Sequence, residues 1–401
     1  MKIIFIIIDG LGDKPISRLK NKTPLEAAKT PNLDWLAEKG ICGLIKPFYF
    51  PWQGYPNSDT AHLALFGYSP KKYYLGRGPY EAVGIGFDLK EGDLALRANF
   101  GTIDDKLKVI DRRAGRIRET QSLVKAINGI KIDGVKFFVK KSYGHRAILV
   151  LRGKSLSEKI TDSDPHRAGD RIKKALPKDK SKEAKFTAQI LNKFLEKVYL
   201  ILKSHSLNRK RERAGKLPAN YLLVRGAGKL RKTPSFYQKY KLKACCIAGG
   251  ALYKGIAKIL GMEIINIKGA NGFSTTNLKG KFIGIKKALK EYDFIFCHIK
   301  ATDSLAEDGD FQGKKIFIEK IDKNIKPLLS LKNTLIIITA DHSTCSSLKR
   351  HCVDPVPLLI YREGIKQDKV SKFSEKNCEK GQLGKIKQLT LLSKVMNIYK
   401  K

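Results

Sequence analysis

The chain lacks any apolar run long enough to cross a bilayer. Its first stretch, Ile3 to Ile8, is cut by Asp9 and Gly10, has no cleavage region after it, and so reads as a buried strand. The 7 cysteines are odd in number and scattered, with no Cys-x-x-Cys pair. They read as small buried residues in a reducing compartment, which places the protein in the cytoplasm. Acidic residues are scarce: 38 Asp and Glu stand against 79 Lys and Arg, a formal net charge of +41. Such a balance raises nucleic-acid binding. However, the lysines are spread along the whole chain, few aromatics interleave with them, and the densest patch, Arg209 to Arg213, is short. No dedicated nucleic-acid or membrane partner is expected. The basicity fits a general attraction to anionic metabolites or a genome-wide lysine bias. The glycines of Gly76-Arg77-Gly78 and Gly84-Ile85-Gly86 do not follow a strand as GxGxxG, and Gly249-Gly250 lacks the Gly-Lys-Ser/Thr of a phosphate loop. These absences exclude a nucleotide cofactor. There are no internal repeats.

What is present is an ordinary apolar content, 42% over 401 residues, enough for a large core and two domains. Three short apolar runs each lead into an aspartate: Ile3–Ile8 into Asp9, Phe294–Ile299 into Asp303 a few residues on, and Leu335–Thr339 into Asp341-His342. Runs of this kind read as buried parallel strands, and ligands of open α/β sheets bind beyond the carboxyl ends of such strands. Carboxylates and imidazoles from distant parts of the chain would then meet at one sheet edge, as the hard ligands of a divalent metal.

Thr30-Pro31 opens a helix that Gly40 ends, with Thr30 as its cap. Tyr49 to Gly86, rich in Gly, Pro and Tyr, reads as a functional loop system. Short alternating runs from about 93 to 164, with a helix near 120–128, read as a small α+β unit. The expected division is a core of 1–90 and 172–401 with an inserted substrate-binding domain at 91–171. A basic helix is expected near 182–206, after which the core pattern resumes at Tyr221. An amphipathic helix is expected at 315–331 and a strand at 356–361.

Ser58, in PNSDTAH just before an apolar helical segment, is by itself a capping hydroxyl; beside a divalent metal the same group becomes a nucleophile. At this point the chain resembles the archaeal-type, cofactor-independent phosphoglycerate mutases of the alkaline phosphatase superfamily. The segments that carry the resemblance are DGLGDKP (9–15), TPLEAAKTPNLDWLAEKG (23–40), SDTAHLALFGY (58–68), GRGPYEAVGIG (76–86), DRRAGRI (111–117) and TDSDPHR (161–167). They continue with LPAN (217–220), RGAG (225–228), IAGGALYKGIA (247–257), HIKATD (298–303), TADHS (339–343) and RHCVDPVPL (350–358), in the family's order over essentially the full length.

The resemblance implies an α/β, alkaline-phosphatase-like core with a mainly parallel sheet and an inserted α+β domain. It implies one divalent ion on Asp9, Ser58, Asp341 and His342, and a second on Asp303, Glu307 and His351. Many relatives carry His where Glu307 stands. Glu is a harder ligand, which biases the site toward Mn or Mg over Zn or Co. Ser58 would take the phosphoryl group of a phosphoglycerate and return it to the other hydroxyl, without bisphosphoglycerate. Arg112, Arg113, Arg116 and Arg225 are the expected grips on carboxylate and phosphate. Lys254 is expected to stabilise the transferring group, and Asp162, Asp164 and His166 to handle hydroxyl protons. His62, His145 and His298 are expected to be supporting or structural. The rival readings are a phosphatase or phosphotransferase on another small metabolite and, remotely, a basic nucleic-acid-binding protein with a decayed metal site. The residues do not choose between monomer and homo-oligomer.

Overall fold

The computed structural model describes residues 2–400. In chain order, β1 (Lys2–Ile8) and β2 (Ile41–Lys46) come first. Next are β3 (Leu94–Ile103), β4 (Val109–Asp111), β5 (Lys131–Ile132), β6 (Val135–Lys141), β7 (Arg146–Arg152) and β8 (Tyr221–Gly228). The remaining strands are β9 (Ala244–Ile247), β10 (Glu263–Ile264), β11 (Phe294–Ile299), β12 (Thr334–Thr339), β13 (Ser343–Cys345), β14 (Arg350–Cys352), β15 (Val356–Tyr361) and β16 (Lys385–Lys387). The chain divides into two compact units, Met1–Tyr74 with Thr233–Lys401, and Leu75–Lys232.

The first unit is built on a mainly parallel sheet, order β10-β9-β11-β1-β12-β15-β2-β16, in which β15 alone runs against its neighbours. β1 is parallel to β11 on one side and β12 on the other, and Ile3 to Ile8 are wholly buried. Such a strand has no wet face, which is why its sequence is continuous rather than alternating. Each of its large apolar side chains contributes about 1.5–3 kcal/mol of burial. Helix Phe311–Ile325 packs against helices Pro31–Glu38 and Leu278–Ala288, burying Phe317, Ile318, Ile321 and Ile325 and leaving Ile316 exposed. It starts earlier than its apolar period shows because Asp310 caps Gly313 N at 2.7 Å, and its α-helical run stops just before Pro327. Thr30 does not cap the backbone of its helix; its hydroxyl is 3.3 Å from the Asp34 carboxylate instead.

The Tyr49–Gly86 stretch is not a loop system. It holds the helices Ser58–Leu65, Pro70–Tyr73 and Arg77–Gly84, and the first of these is entirely buried. Small side chains in this stretch allow close packing that composition alone reads as irregular.

The second unit is an antiparallel sheet, β4-β3-β7-β6-β5, with β8 also paired to β3. β3 is buried along its whole length because it is flanked on both sides. Helix Lys182–Lys203, capped by Ser181 on Ala184 N at 3.2 Å, lays Ile190, Leu191, Phe194, Leu195, Val198 and Leu202 into this unit's core. Phe194 stacks on Phe137 with ring centroids 4.3 Å apart. Helix Arg77–Gly84 packs on β3 and β8. The unit therefore reaches well beyond the 91–171 drawn from composition. β8 does not resume the core sheet, and RGAG (225–228) forms its end.

Candidate active site

Register places the site. Ile8 of β1 lies beside Ile299 of β11, and Ile7 beside Thr339 of β12, so the three strands end in line. Asp9 N donates to Ile299 O at 2.9 Å and continues that ladder by one residue. Asp9, Asp341-His342 and the helix Ala301–Glu307, which carries Asp303, therefore leave the sheet at one edge. Gly10 has φ +62, and a Cβ there would run into Thr344 Oγ1 and Asp303. Only glycine lets the chain turn so close beneath the cluster.

His342 Nε2 is the hub of the first cluster. It lies 3.2 Å from Ser58 Oγ, 3.3 Å from Asp341 Oδ2 and 3.5 Å from Asp9 Oδ1. Ser58 is the first residue of its helix, so its hydroxyl and the helix N-terminus face the same cluster. Asp9 Oδ1 and Asp341 Oδ2 are buried and have no hydrogen-bond partner. Buried carboxylate oxygens without donors, beside an imidazole nitrogen, are the donor chemistry of a divalent cation site. Burial and the charge of Asp9 push the Asp341 carboxyl up to about 7. Burial opposes ionisation of Asp9 too, but Lys300 and His298 hold it well below the usual carboxylate range. Burial, reinforced by His351, drives His342 down to about 3 and keeps it a neutral donor.

The second cluster is Asp303, His342 and His351, whose ligand atoms lie within 4.8 Å of one another. His351 Nε2 is 3.4 Å from Asp303 Oδ1, while its Nδ1 donates to Pro56 O at 2.8 Å, which fixes the tautomer toward the carboxylate. Thr344 Oγ1 donates to Asp303 Oδ1 at 2.6 Å and so accepts from His342 Nδ1 at 3.2 Å, leaving His342 Nε2 for the cluster. Although burial disfavours its charge, Asp303 raises His351 to about 9, so a cation bound there displaces a proton. Glu307 comes one helical turn after Asp303. Its Oε1 is 3.9 Å from His351 Nε2 and its side chain is 36% exposed, outside the tight cluster.

Lys300 was missed by sequence reading although it lies inside HIKATD. Its ammonium bridges Asp9 Oδ2 at 3.1 Å and Asp303 Oδ2 at 2.5 Å, and so ties the two clusters together. Lys254 does not reach them; it donates to Asn266 Oδ1 at 2.9 Å. His298 Nε2 donates to Asp9 Oδ2 at 3.0 Å, Tyr253 Oη donates to the same oxygen, and His62 Nδ1 donates to Ser58 O at 2.6 Å. These groups orient the acids and the serine.

The second unit carries a separate constellation. Arg112 grips Asp164 with two bonds, Nε at 3.0 Å and Nη2 at 2.6 Å. Arg225 Nη1 donates to His166 Nδ1 at 3.1 Å, and His166 Nε2 donates to Asp162 Oδ2 at 3.1 Å. Asp164 is buried, yet Arg112 and Arg225 hold it below the ordinary carboxylate range. This geometry makes it a counter-ion for arginine rather than a proton carrier. Arg97, buried on β3, is 3.3 Å from Glu81 Oε1, and Arg77 Nε is 3.0 Å from the same oxygen. His145 is pushed down to about 2, by burial first and then by Arg146, Arg97, Arg113 and Arg116. Several guanidinium groups thus converge here, an arrangement suited to anions. Arg77, Arg97 and Arg146 were not anticipated. The available signal was an arginine inside the apolar strand Leu94–Phe100, a place where an unpaired charge is costly.

Residues 37–208 match the family model of the 2,3-bisphosphoglycerate-independent phosphoglycerate mutase. A protein of that name from Archaeoglobus fulgidus is 46% identical over 100% of this chain and 99% of its own. The chain belongs to this mutase family. A second such mutase, from Methanocaldococcus jannaschii, is 46% identical over 96% of this chain and 94% of its own. Among solved structures, the cofactor-independent phosphoglycerate mutase of Thermoplasma acidophilum is 39% identical over the whole of both chains, with a TM-score of 0.68. A Pyrococcus horikoshii protein is 35% identical over 100% of this chain and 97% of its own, with a TM-score of 0.83. Family membership matches the expected α/β fold and isomerase class, and it rules in favour of an enzyme over a basic binding protein.

Proposed function

We propose that this chain interconverts 3-phosphoglycerate and 2-phosphoglycerate through a phosphoserine at Ser58, without bisphosphoglycerate. The observation that carries the reading is the meeting of Ser58 Oγ with Asp9, Asp341 and His342, in a chain related to these mutases over its full length. Asp9, Ser58, Asp341 and His342 would hold one divalent ion, and Asp303, His351 and Glu307 a second. Such ions supply Lewis-acid charge to the serine oxygen and to the phosphoryl oxygens.

The chain's own residues do the rest. His62 and the helix N-terminus fix Ser58 so that its oxygen is aimed at phosphorus. Ser58 Oγ gives up its proton and forms the new P–O bond as the bond to the glycerate oxygen breaks, and that oxygen takes a proton in its turn, so that no net proton is gained or lost. The other glycerate hydroxyl then gives up a proton and attacks the phosphoserine, which restores Ser58. Arg112 and Arg225 pair with carboxylate and phosphate oxygens, as guanidinium forks do. His166, held between Arg225 and Asp162, is the group of the second unit best placed to exchange a proton. Lys300 balances the negative charge of Asp9 and Asp303. Glu307, a hard ligand at the edge of the second cluster, favours Mn or Mg over Zn or Co. A cytoplasmic setting is part of this reading, and no helix among the described residues is long and apolar enough to cross a membrane.

The test is a product assay on purified protein with 3-phosphoglycerate and each of the four metals, with no bisphosphoglycerate added. 2-Phosphoglycerate should form, fastest with Mn or Mg. Release of free phosphate alone would replace the mutase reading with a phosphatase, and best turnover with Zn would remove the role given to Glu307.

A further inference from the structure

The hairpin β13–β14 carries imidazoles of both clusters and also a cysteine pair that the chemistry above does not use. Period-two alternation separates the two sets. Thr344 and His351 sit directly opposite each other and both reach Asp303. Cys345 and Cys352 alternate with them and belong to the other face. Their Cα atoms are 6.0 Å apart, and their sulfurs lie within bonding distance of each other. That separation is one a disulfide spans without moving the backbone. The other cysteines, Cys42, Cys245, Cys246, Cys297 and Cys378, are buried and free. The hairpin is a separate two-stranded sheet with strands of 3 residues each. Pairing this short is marginal by itself. Yet it must hold His342, just before β13, and His351 so that their rings stack with centroids 3.9 Å apart.

We propose that Cys345 and Cys352 are a redox-active pair whose disulfide fastens this hairpin, so that retention of both metal ions depends on thiol redox state. The oxidant is a small-molecule disulfide. Cys352, 7% exposed where Cys345 is fully buried, is the thiol reached first. Its thiolate attacks one sulfur of the small disulfide and expels one small thiolate. The Cys345 thiolate then attacks the Cys352 sulfur of the mixed disulfide and expels the second. Two protein thiols lose two electrons and two protons, and the small disulfide becomes two thiols. With the bond in place, His342 and His351 keep their spacing; with it reduced, the hairpin opens more often and releases its ions.

The coupling to metal rests on the two-centre reading above, whereas the disulfide itself does not, and two measurements keep these apart. The first alkylates the denatured full-length protein after equilibration with oxidised and with reduced small thiol, and then maps its peptides. The oxidised sample should show 5 reactive thiols and a linked Cys345–Cys352 peptide pair, and the reduced sample all 7. Seven reactive thiols in both samples overturn the proposal. So does zinc held by the reduced thiols and lost in Cys352→Ser, which would make the pair, with Asp354, a third metal site. The second measurement tracks Mn release to a chelator. Reduced protein and Cys352→Ser should both release Mn several-fold faster than oxidised protein, while Cys378→Ser behaves as the parent does. Equal release rates overturn the coupling. Failure to retain Mn in either state overturns the two-centre reading instead, and the thiol count still stands.

Discussion

The two units make opposite electrostatic choices. The first gathers carboxylates, Asp9, Asp303 and Asp341, at the ends of buried strands and leaves two of their oxygens without donors. The second gathers guanidinium groups, Arg77, Arg97, Arg112 and Arg225, around Glu81 and Asp164. One region is built to attract cations and the other to attract anions. A net charge of +41 therefore describes neither site. Surplus lysine lies mostly on the surface, whereas the chemistry lies in buried groups whose charge is locally unbalanced.

Substitutions should separate the two roles. Ser58→Ala removes the nucleophile and should lower kcat by about four orders of magnitude or more, with binding of phosphoglycerate by calorimetry little changed. Retention of even a tenth of the activity would assign the nucleophile elsewhere. Arg225→Lys replaces a planar fork with a point charge and should raise KM about tenfold with a smaller change in kcat. A fall in kcat at constant KM would move Arg225 from binding into the chemical step.

A further effect is on stability and acts only in the second unit. The charges of Arg97 and Arg77 outweigh burial and hold Glu81 down at about 2 against an ordinary 4.5. A carboxylate lowered in this way stabilises the fold above pH 4.5, and that contribution is lost as pH falls toward 2. Its full size is on the order of 3 kcal/mol. Glu81→Gln should therefore melt earlier than the parent at pH 7, with the gap closing below pH 4.5. A gap that is constant with pH would mean that the Glu81 pairing contributes packing and no charge.

The carboxylate half of the site was legible in the sequence because geometry alone dictates it. Buried parallel strands are written as isoleucine runs, and the polar residues just past each run land at one edge. His351, Glu307 and Lys254 needed the family's motif order to be noticed, and only the fold separates them: His351 meets Asp303, Glu307 stands at the margin, and Lys254 turns to Asn266. The arginine half was mostly illegible, since 79 basic residues hide the few that are buried. Arg97 is distinguished by its place on a strand buried along both edges, and this emerges only once β8 is seen to pair with β3. The same pairing explains why the inserted unit was drawn too short. Helix Lys182–Lys203 and β8 belong to its core by contact, which composition does not record.

Acid quenching of the Mn-loaded enzyme during turnover of 3-phosphoglycerate, with peptide mass analysis of the quenched protein, puts the phosphoserine to its sharpest test. One added phosphoryl group is expected on the peptide containing Ser58, and it should disappear when substrate is exhausted or removed. A phosphoryl group on any other residue, or turnover to 2-phosphoglycerate with Ser58 never modified, would contradict a mechanism through Ser58.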